Sequence, residues 1–485
     1  MGKRLWMLAV AALIAMINLQ AKVRLSHLVG DNMILQQQSE ARLWGWTEKG
    51  RTVKVTVSWN SDAYEAKADI QGRWLVTVPT PKASYTPLSI TFDDGEPLTI
   101  NGVLAGEVWV CAGQSNMEMP IRGFGNCPVK GYNDVLIDAR NHHAVHFCKV
   151  PSTMAMTPQD DAQCEWREIS MQSVADASAT GYFFGRLLHQ ALDIPIGLIE
   201  ANKGGTRVES WLTRENLKKY TEEPLDSDEI VKKYDWDYHR PLMWGNGTFH
   251  PILNYTVKGI IFYQGCSNVD WVTPNYAELL ALLVSQWRSQ FALGELPFYF
   301  VQIAPYRYED NDSGLLAARL RESQFRAQTM ITNSHIVCTN DLVYPYEATQ
   351  IHPCQKQQVG ERLAYQALNY TYGMDKIMCE SPSYKDMTIK GDTCFLHFQN
   401  DYWGMTPFEG ITGFEVAGED RIFHPAEASH FWQPGGGYWD EAIIVRSSDV
   451  KKPVAVRYCY GNFKQGNLKN QAHLPCFPFR TDNWE

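Results

Sequence analysis

Apolar and polar positions follow two different periods along this chain, and the changes of period divide it in three. Between residues 22 and 100 the apolar positions recur every second residue in short runs. Examples are Arg42-Leu43-Trp44-Gly45-Trp46, Val53-Lys54-Val55-Thr56-Val57-Ser58-Trp59, Trp74-Leu75-Val76-Thr77-Val78 and Leu88-Ser89-Ile90-Thr91-Phe92. Clusters of Gly, Asp and Pro separate them, Asp93-Asp94-Gly95 among them. Period-two runs bounded by turn residues predict a small β-sandwich over 22–100.

From about residue 101 the pattern becomes strand, loop, helix. Continuous apolar runs at 108–113, 195–199, 257–263, 297–303 and 336–339 read as buried parallel strands. Helical spacing follows at 174–192, 276–291, 317–330 and 355–369, and the charged segment 212–245 reads as surface helix. Repeated β-loop-α units predict a parallel sheet with helices on both faces over 101–375. Short strands return at 392–398, 442–445 and 454–458, with Gly435-Gly436-Gly437 as a turn, so 376–485 is expected to form a second β-region.

The chain is organised around the run Val108-Trp109-Val110-Cys111-Ala112-Gly113, which Gln114, Ser115 and Asn116 interrupt. A serine at this point either caps the next helix or stands at the carboxyl edge of the sheet, where α/β proteins bind ligands. As a nucleophile it needs a base. His352 is the candidate, because it follows a strand and a loop, precedes a helix, and carries an imidazole that titrates near neutral pH. His142, His143 and His250 lack that setting.

Composition narrows the class. The 485 residues exceed one ordinary domain, and the formal net charge is −10 with no basic run, which excludes a nucleic-acid-binding surface. Lys3 and Arg4 precede an apolar stretch, 5–17, too short for a comfortable span, and Ala21 follows. This reads as a signal peptide over 1–21, giving a periplasmic or secreted protein without a membrane anchor. Eleven cysteines are scattered without a C-x-x-C pair, so zinc or redox chemistry is not indicated. Cys111 and Cys338 lie in apolar strands and are expected to be buried thiols.

Four stretches in order resemble the sialate O-acetylesterase branch of the SGNH hydrolases. They are Gly113-Gln114-Ser115-Asn116-Met117, the run from Asn202-Lys203-Gly204-Gly205-Thr206-Arg207 to Trp211, Tyr263-Gln264-Gly265-Cys266-Ser267-Asn268, and Ile351-His352-Pro353 with Lys356, Gly360, Arg362 and Leu363. The resemblance implies an α/β fold of the SGNH-hydrolase, flavodoxin-like kind: a three-layer parallel sheet flanked by N- and C-terminal β-domains. It implies a serine esterase that removes O-acetyl groups from carbohydrate, either acetylated sialic acid or acetylated plant polysaccharide such as xylan. Ser115 would be the nucleophile and His352 the base. The oxyanion would be held by the Ser115 amide, the Gly205 amide (Gly204 being the alternative) and the Asn268 side chain. Gln114, Arg207 and Gln264 would bind substrate or brace the loops. Such acyl transfer uses neither metal nor organic cofactor.

Two departures from the family pattern stand out. Gln350 and Thr349 occupy the positions where the family carries an acid before the histidine, so His352 is oriented by Glu347, by a backbone carbonyl, or by neither. Cys266 replaces the family's glutamate and cannot reproduce its charge or hydrogen bonds. These departures motivate a second reading, a catalytically impaired carbohydrate-binding protein on an esterase scaffold. A thioesterase or lipase is a third, disfavoured by the aromatic content and the lack of a lid sequence.

Overall fold

The computed structural model describes residues 23–269, 275–309, 314–431 and 442–484. The expected signal peptide and the Gly435-Gly436-Gly437 turn lie outside the described residues.

The N-terminal region contributes β1 (Arg24–Leu25), β2 (Ile34–Gln36), β3 (Glu40–Trp46), β4 (Thr52–Val57), β5 (Ala63–Lys67), β6 (Arg73–Pro79) and β7 (Ser84–Asp93). In β4 and β6 buried and exposed residues alternate strictly, as their period-two sequence requires. β1, β3 and β6 form one small sheet, while β4, β5 and β7 join the next strand, β8 (Pro97–Gly113). β8 is 17 residues long. Its first half pairs antiparallel with β7 and its second half lies at the centre of the α/β region. The domain boundary expected at residue 100 therefore falls inside one strand. The sequence marks where polar alternation gives way to continuous burial, and β8 crosses that point without a turn.

The remaining strands of the large sheet are β9 (Val145–Lys149), β10 (Trp166–Glu168), β11 (Ile196–Asn202), β12 (Gly259–Tyr263), β13 (Phe298–Val301) and β14 (Ser334–Val337). Their order is β10-β9-β11-β8-β12-β13-β14. β9 to β14 pair in parallel through β11, β8, β12 and β13, and the short edge strand β10 runs antiparallel, so the sheet is mixed. The register matters for function: Gly113 pairs with both Asn202 and Tyr263. Three strands thus end at one level, and three of the four sequence motifs leave the sheet side by side.

Alternate residues of β8 face different cores. Val108, Val110 and Ala112 pack with Leu280, Leu283 and Trp287 of the helix Tyr276–Phe291. Trp109 and Cys111 pack with Tyr182, Phe183 and Leu188 of the helix Ala179–Leu192 and Leu363 of the helix Lys356–Gln366. Helices at 179–192, 276–291, 316–330 and 356–366 agree closely with their sequence patterns. No helix among the described residues is long and apolar enough to cross a membrane.

The C-terminal region builds two four-stranded antiparallel sheets around its own core, which includes Leu396, Val416, Ile443, Val445 and Val456. It docks on the helix Leu316–Met330. There, the buried Arg321 donates to the Gly461 carbonyl and Asn462 Oδ1 accepts the Ala317 N–H at 2.9 Å. All eleven cysteines are free thiols and all but Cys164 are buried, Cys111 and Cys338 included.

Trp109 anchors the centre. Its ring stacks on Tyr299 at 5.8 Å, meets Phe184 edge-on at 5.1 Å, and its Nε1 donates to the Tyr372 hydroxyl at 3.0 Å. Trp109→Ala is expected to cost about 3–5 kcal/mol of stability, from lost burial plus an unfilled cavity. Equilibrium urea unfolding measures this, and a loss below about 1 kcal/mol would show that the site collapses around the gap.

Candidate active site

The serine turn is shaped by the strand end. Gly113 adopts a φ of +131°, and a side chain there would run into the Tyr263 carbonyl oxygen. The same carbonyl accepts the Gln114 N–H at 2.9 Å. Ser115 then opens a single helical turn, Ser115–Glu118, in which Gln114 and not Ser115 holds the cap position. The capping role open to Ser115 in the sequence is thus not the one it fills. The serine is half-buried, and among the described residues neither its hydroxyl nor its N–H makes a hydrogen bond within the protein.

The loop after β11 lies against this serine. A side chain on Gly204 would meet Ser115 Cβ and the Glu118 carboxylate, so Gly204 fits only because it has none. Its N–H donates to Glu118 Oε2 at 2.5 Å. The next N–H, that of Gly205, has no partner among the described residues. Of the two glycine amides the sequence offers, Gly205 supplies the free one. It has a φ of +79° and packs beneath the Tyr238 ring.

The histidine arrives from the loop that precedes the helix Lys356–Gln366. Asn116, next to Ser115, donates through Nδ2 to the Ile351 carbonyl at 3.0 Å and accepts from Lys356 Nζ at 2.7 Å. Lys356 Nζ also donates to the Pro353 carbonyl at 2.7 Å. One asparagine and one lysine, both buried, thus tie the residue after the serine to residues on either side of the histidine. Burial, aided by the nearby Lys356 charge, pushes the His352 pKa down to about 4. Burial likewise lowers Lys356 to about 7.

No carboxylate meets the imidazole among the described residues. Its Nδ1 faces the Cys127 thiol, Sγ lying 3.9 Å away, and its ring packs edge-on against Phe124 at 5.1 Å between centroids. Gln350 Oε1 accepts the His352 backbone N–H at 3.2 Å, and its side chain also meets the Cys127 thiol. Cys127 and Phe124 come from the Gly- and Asn-rich loop that follows the serine turn. In the tautomer that carries its proton on Nδ1, facing the sulfur, Nε2 is the acceptor, as a base requires.

The expectations for Glu347 and Asn268 are corrected here, and for Gln114, Arg207 and Gln264 the bracing alternative is the one the contacts show. Glu347 does not orient His352: its carboxylate accepts the N–H groups of Tyr344 at 3.0 Å and Cys354 at 2.9 Å, holding the loop and not the ring. Asn268 is fully buried, its Nδ2 donating to Glu209 at 3.1 Å and its Oδ1 accepting from Val208 N–H and Gln264 Nε2, so its amide faces the protein interior. Gln264 and Gln114 are also buried. Gln264 binds the Thr206 carbonyl, while Gln114 Oε1 accepts the Gly265 N–H at 2.8 Å. Arg207 pairs with Glu223 at 2.9 Å and donates to the His239 carbonyl. These four side chains brace the loops from beneath. Polar residue type after a strand end marks the right loops but does not reveal which side of the loop a side chain takes. Cys266, in place of a glutamate, is a buried thiol whose pKa burial raises, and Asn116 Nδ2 approaches it at 3.9 Å. Among the described residues no group of three or more His, Cys, Asp or Glu is arranged to hold a metal ion.

The half-buried Ser115 hydroxyl, the unpartnered Ser115 and Gly205 amides and a His352 whose pKa burial lowers are the kinds of group that an acyl-transfer site requires. Lys356→Met keeps the stem and removes the charge that disfavours the imidazolium. The acid limb of kcat/KM for ester cleavage is expected to move upward from about pH 4 by part of the shift only, since burial, the larger cause, remains. An unmoved limb would show that burial alone sets the His352 pKa.

Comparison with known proteins identifies the family. Residues 105–369, more than half the chain, match the family described as carbohydrate esterase, sialic acid-specific acetylesterase. Sialate O-acetylesterase of Homo sapiens is 27% identical over 399 residues, covering 74% of this chain and 73% of that protein. The Mus musculus sialate O-acetylesterase is 25% identical over 454 residues, with 81% and 82% covered. A carbohydrate acetylesterase from Xanthomonas citri superposes with a TM-score of 0.82 at 30% identity, covering 96% of this chain and all of that one. The chain belongs to the sialic acid-specific acetylesterase family of carbohydrate esterases.

Proposed function

We propose that this esterase is an exported enzyme that removes O-acetyl groups from carbohydrate through an acyl-enzyme on Ser115, on an SGNH-type three-layer scaffold. The observation that carries the reading is the pair of unpartnered amides, Ser115 and Gly205, beside one half-buried hydroxyl. Ser115 Oγ attacks the acetyl carbonyl while His352 Nε2 takes its proton. The developing oxyanion accepts hydrogen bonds from the Ser115 and Gly205 N–H groups. The sugar oxygen departs with the proton from His352, and water, activated by the same imidazole, then releases acetate. Acetylated sialic acid and acetylated plant polysaccharide both present such esters. The basic and apolar start of the chain supports export. The non-catalytic reading is not favoured, because the chain retains a free nucleophile, free amides and a neutral base together.

Cys127 stands at Nδ1 where other serine hydrolases carry a carboxylate. A neutral thiol can accept from Nδ1–H but adds no charge to stabilise the imidazolium formed in the transition state. The expected consequence is a slow enzyme that keeps working in acid, because His352 stays unprotonated down to about pH 4.

Acetate release by the purified chain from a small acetyl ester, an O-acetylated sialoside and acetylated xylan tests the reading. Ser115→Ala is expected to lower the rate at least about a thousandfold. Equal release by both proteins would sink the serine mechanism.

Gln350→Asp sets a carboxylate beside Cys127 and the His352 loop. It is expected to raise kcat about tenfold or more and to shift the acid limb upward, since an adjacent negative charge favours the imidazolium. A pH–rate profile identical to wild type would show that residue 350 does not reach the imidazole.

A further inference from the structure

The segment after the surface helices carries an aromatic pair that the acyl-transfer machinery does not use. Trp236 is 63% exposed. Its ring lies nearly parallel to that of Tyr238, with 13° between planes and 5.8 Å between centroids. Tyr238 in turn covers Gly205, so closely that any side chain on Gly205 would enter its ring. The aromatic pair thus runs from solvent directly to the residue whose amide is free.

The pair is also held in place. Arg207, two residues beyond Gly205, donates to the His239 carbonyl through Nε at 3.1 Å and Nη2 at 3.0 Å. Ser210 Oγ donates to the Tyr238 carbonyl at 3.4 Å, and Trp244 Nε1 to the Asp237 carbonyl at 3.2 Å. Three successive carbonyls of the segment are therefore fixed by side chains of the scaffold, and the Tyr238 ring packs edge-on with His239 at 4.6 Å. An exposed tryptophan on a fixed backbone loses little entropy when it binds a flat partner.

We propose that Trp236 and Tyr238 form the subsite for the sugar ring that bears the scissile acetyl group. This rests on the reading of the substrate as an acetylated glycan. A pyranose has an apolar face of C–H groups that stacks on aromatic rings, while its hydroxyls and ester project from the rim. Tyr238 is covered by Gly205 and by Trp236, so the sugar ring would stack on the open face of Trp236 and direct an ester on its rim past Tyr238 toward the Gly205 and Ser115 amides. It also explains why Arg207 is buried and paired: the guanidinium holds the floor of the subsite instead of contacting substrate.

The test uses the full chain carrying Ser115→Ala, which removes turnover and leaves binding to be read by calorimetric titration. Acetylated xylo-oligosaccharide and an O-acetylated sialoside are the two probes, since both offer an apolar pyranose face. Adding Trp236→Ala is expected to weaken binding of the preferred probe about tenfold, and Trp236→Phe to recover most of it. The probe that shows the larger loss identifies the sugar. Affinities that do not change with residue 236, or no binding of either probe, would overturn the inference. Tryptophan-dependent binding in a chain that, with Ser115 intact, releases no acetate would instead sink the esterase reading and leave the subsite standing.

Discussion

The contact between Lys356 and Asn116 is the constraint on which the site depends. The serine leaves the sheet after β8, and the histidine arrives more than two hundred residues later, from a loop that pairs with no strand. Nothing in the sheet register fixes the second relative to the first. A buried ammonium that holds Asn116 Oδ1 and the Pro353 carbonyl, with Asn116 reaching on to the Ile351 carbonyl, supplies that fixation. Burying a lysine is unfavourable, and the cost is visible in its depressed pKa of about 7. The same charge helps to lower the His352 pKa, so the group that positions the proposed base also tunes it.

The rest of the site repeats this economy. Buried polar side chains satisfy backbone groups of the loops, leaving two amides uncommitted. Glu118 takes the Gly204 N–H, Gln114 takes that of Gly265, and Gln264 holds the Thr206 carbonyl. Each bond fixes loop backbone beside Ser115 and Gly205, and preorganised donors are what the proposed oxyanion stabilisation requires. The missing carboxylate is the exception. A thiol at Nδ1 and a glutamine beside it preserve the shape of the histidine loop while giving up the electrostatic help an acid would lend the imidazolium.

How much of this the sequence discloses depends on the range of the interaction. Periodicity finds the strands and helices because each buries its own apolar face, and the helix at 276–291 is read to the residue. The motifs find the serine, the glycine pair and the histidine because each follows a strand end, and β8, β11 and β12 end in register. Sequence does not show that β8 passes unbroken from one region to the next. Nor does it show the direction of a side chain within a loop: Asn268 and Arg207 point inward, and Glu347 caps its own loop. Cys127 is not legible as a neighbour of the histidine, since its meeting with residue 352 depends on the folding of two loops far apart in the chain. Phe124, Asn116 and Lys356 were missed as functional residues for the same reason, although Asn116 adjoins Ser115 and Lys356 opens the helix after His352.

The central claim is that one serine hydroxyl accepts the acetyl group. Acid-quenching the chain during turnover of a small acetyl ester and mapping its peptides by mass spectrometry addresses that claim most directly. The account predicts one acetyl group on the peptide that carries Ser115, absent from Ser115→Ala. Acetate release without that adduct, unaffected by the substitution, would mean that water attacks the ester without a covalent intermediate and would contradict the account.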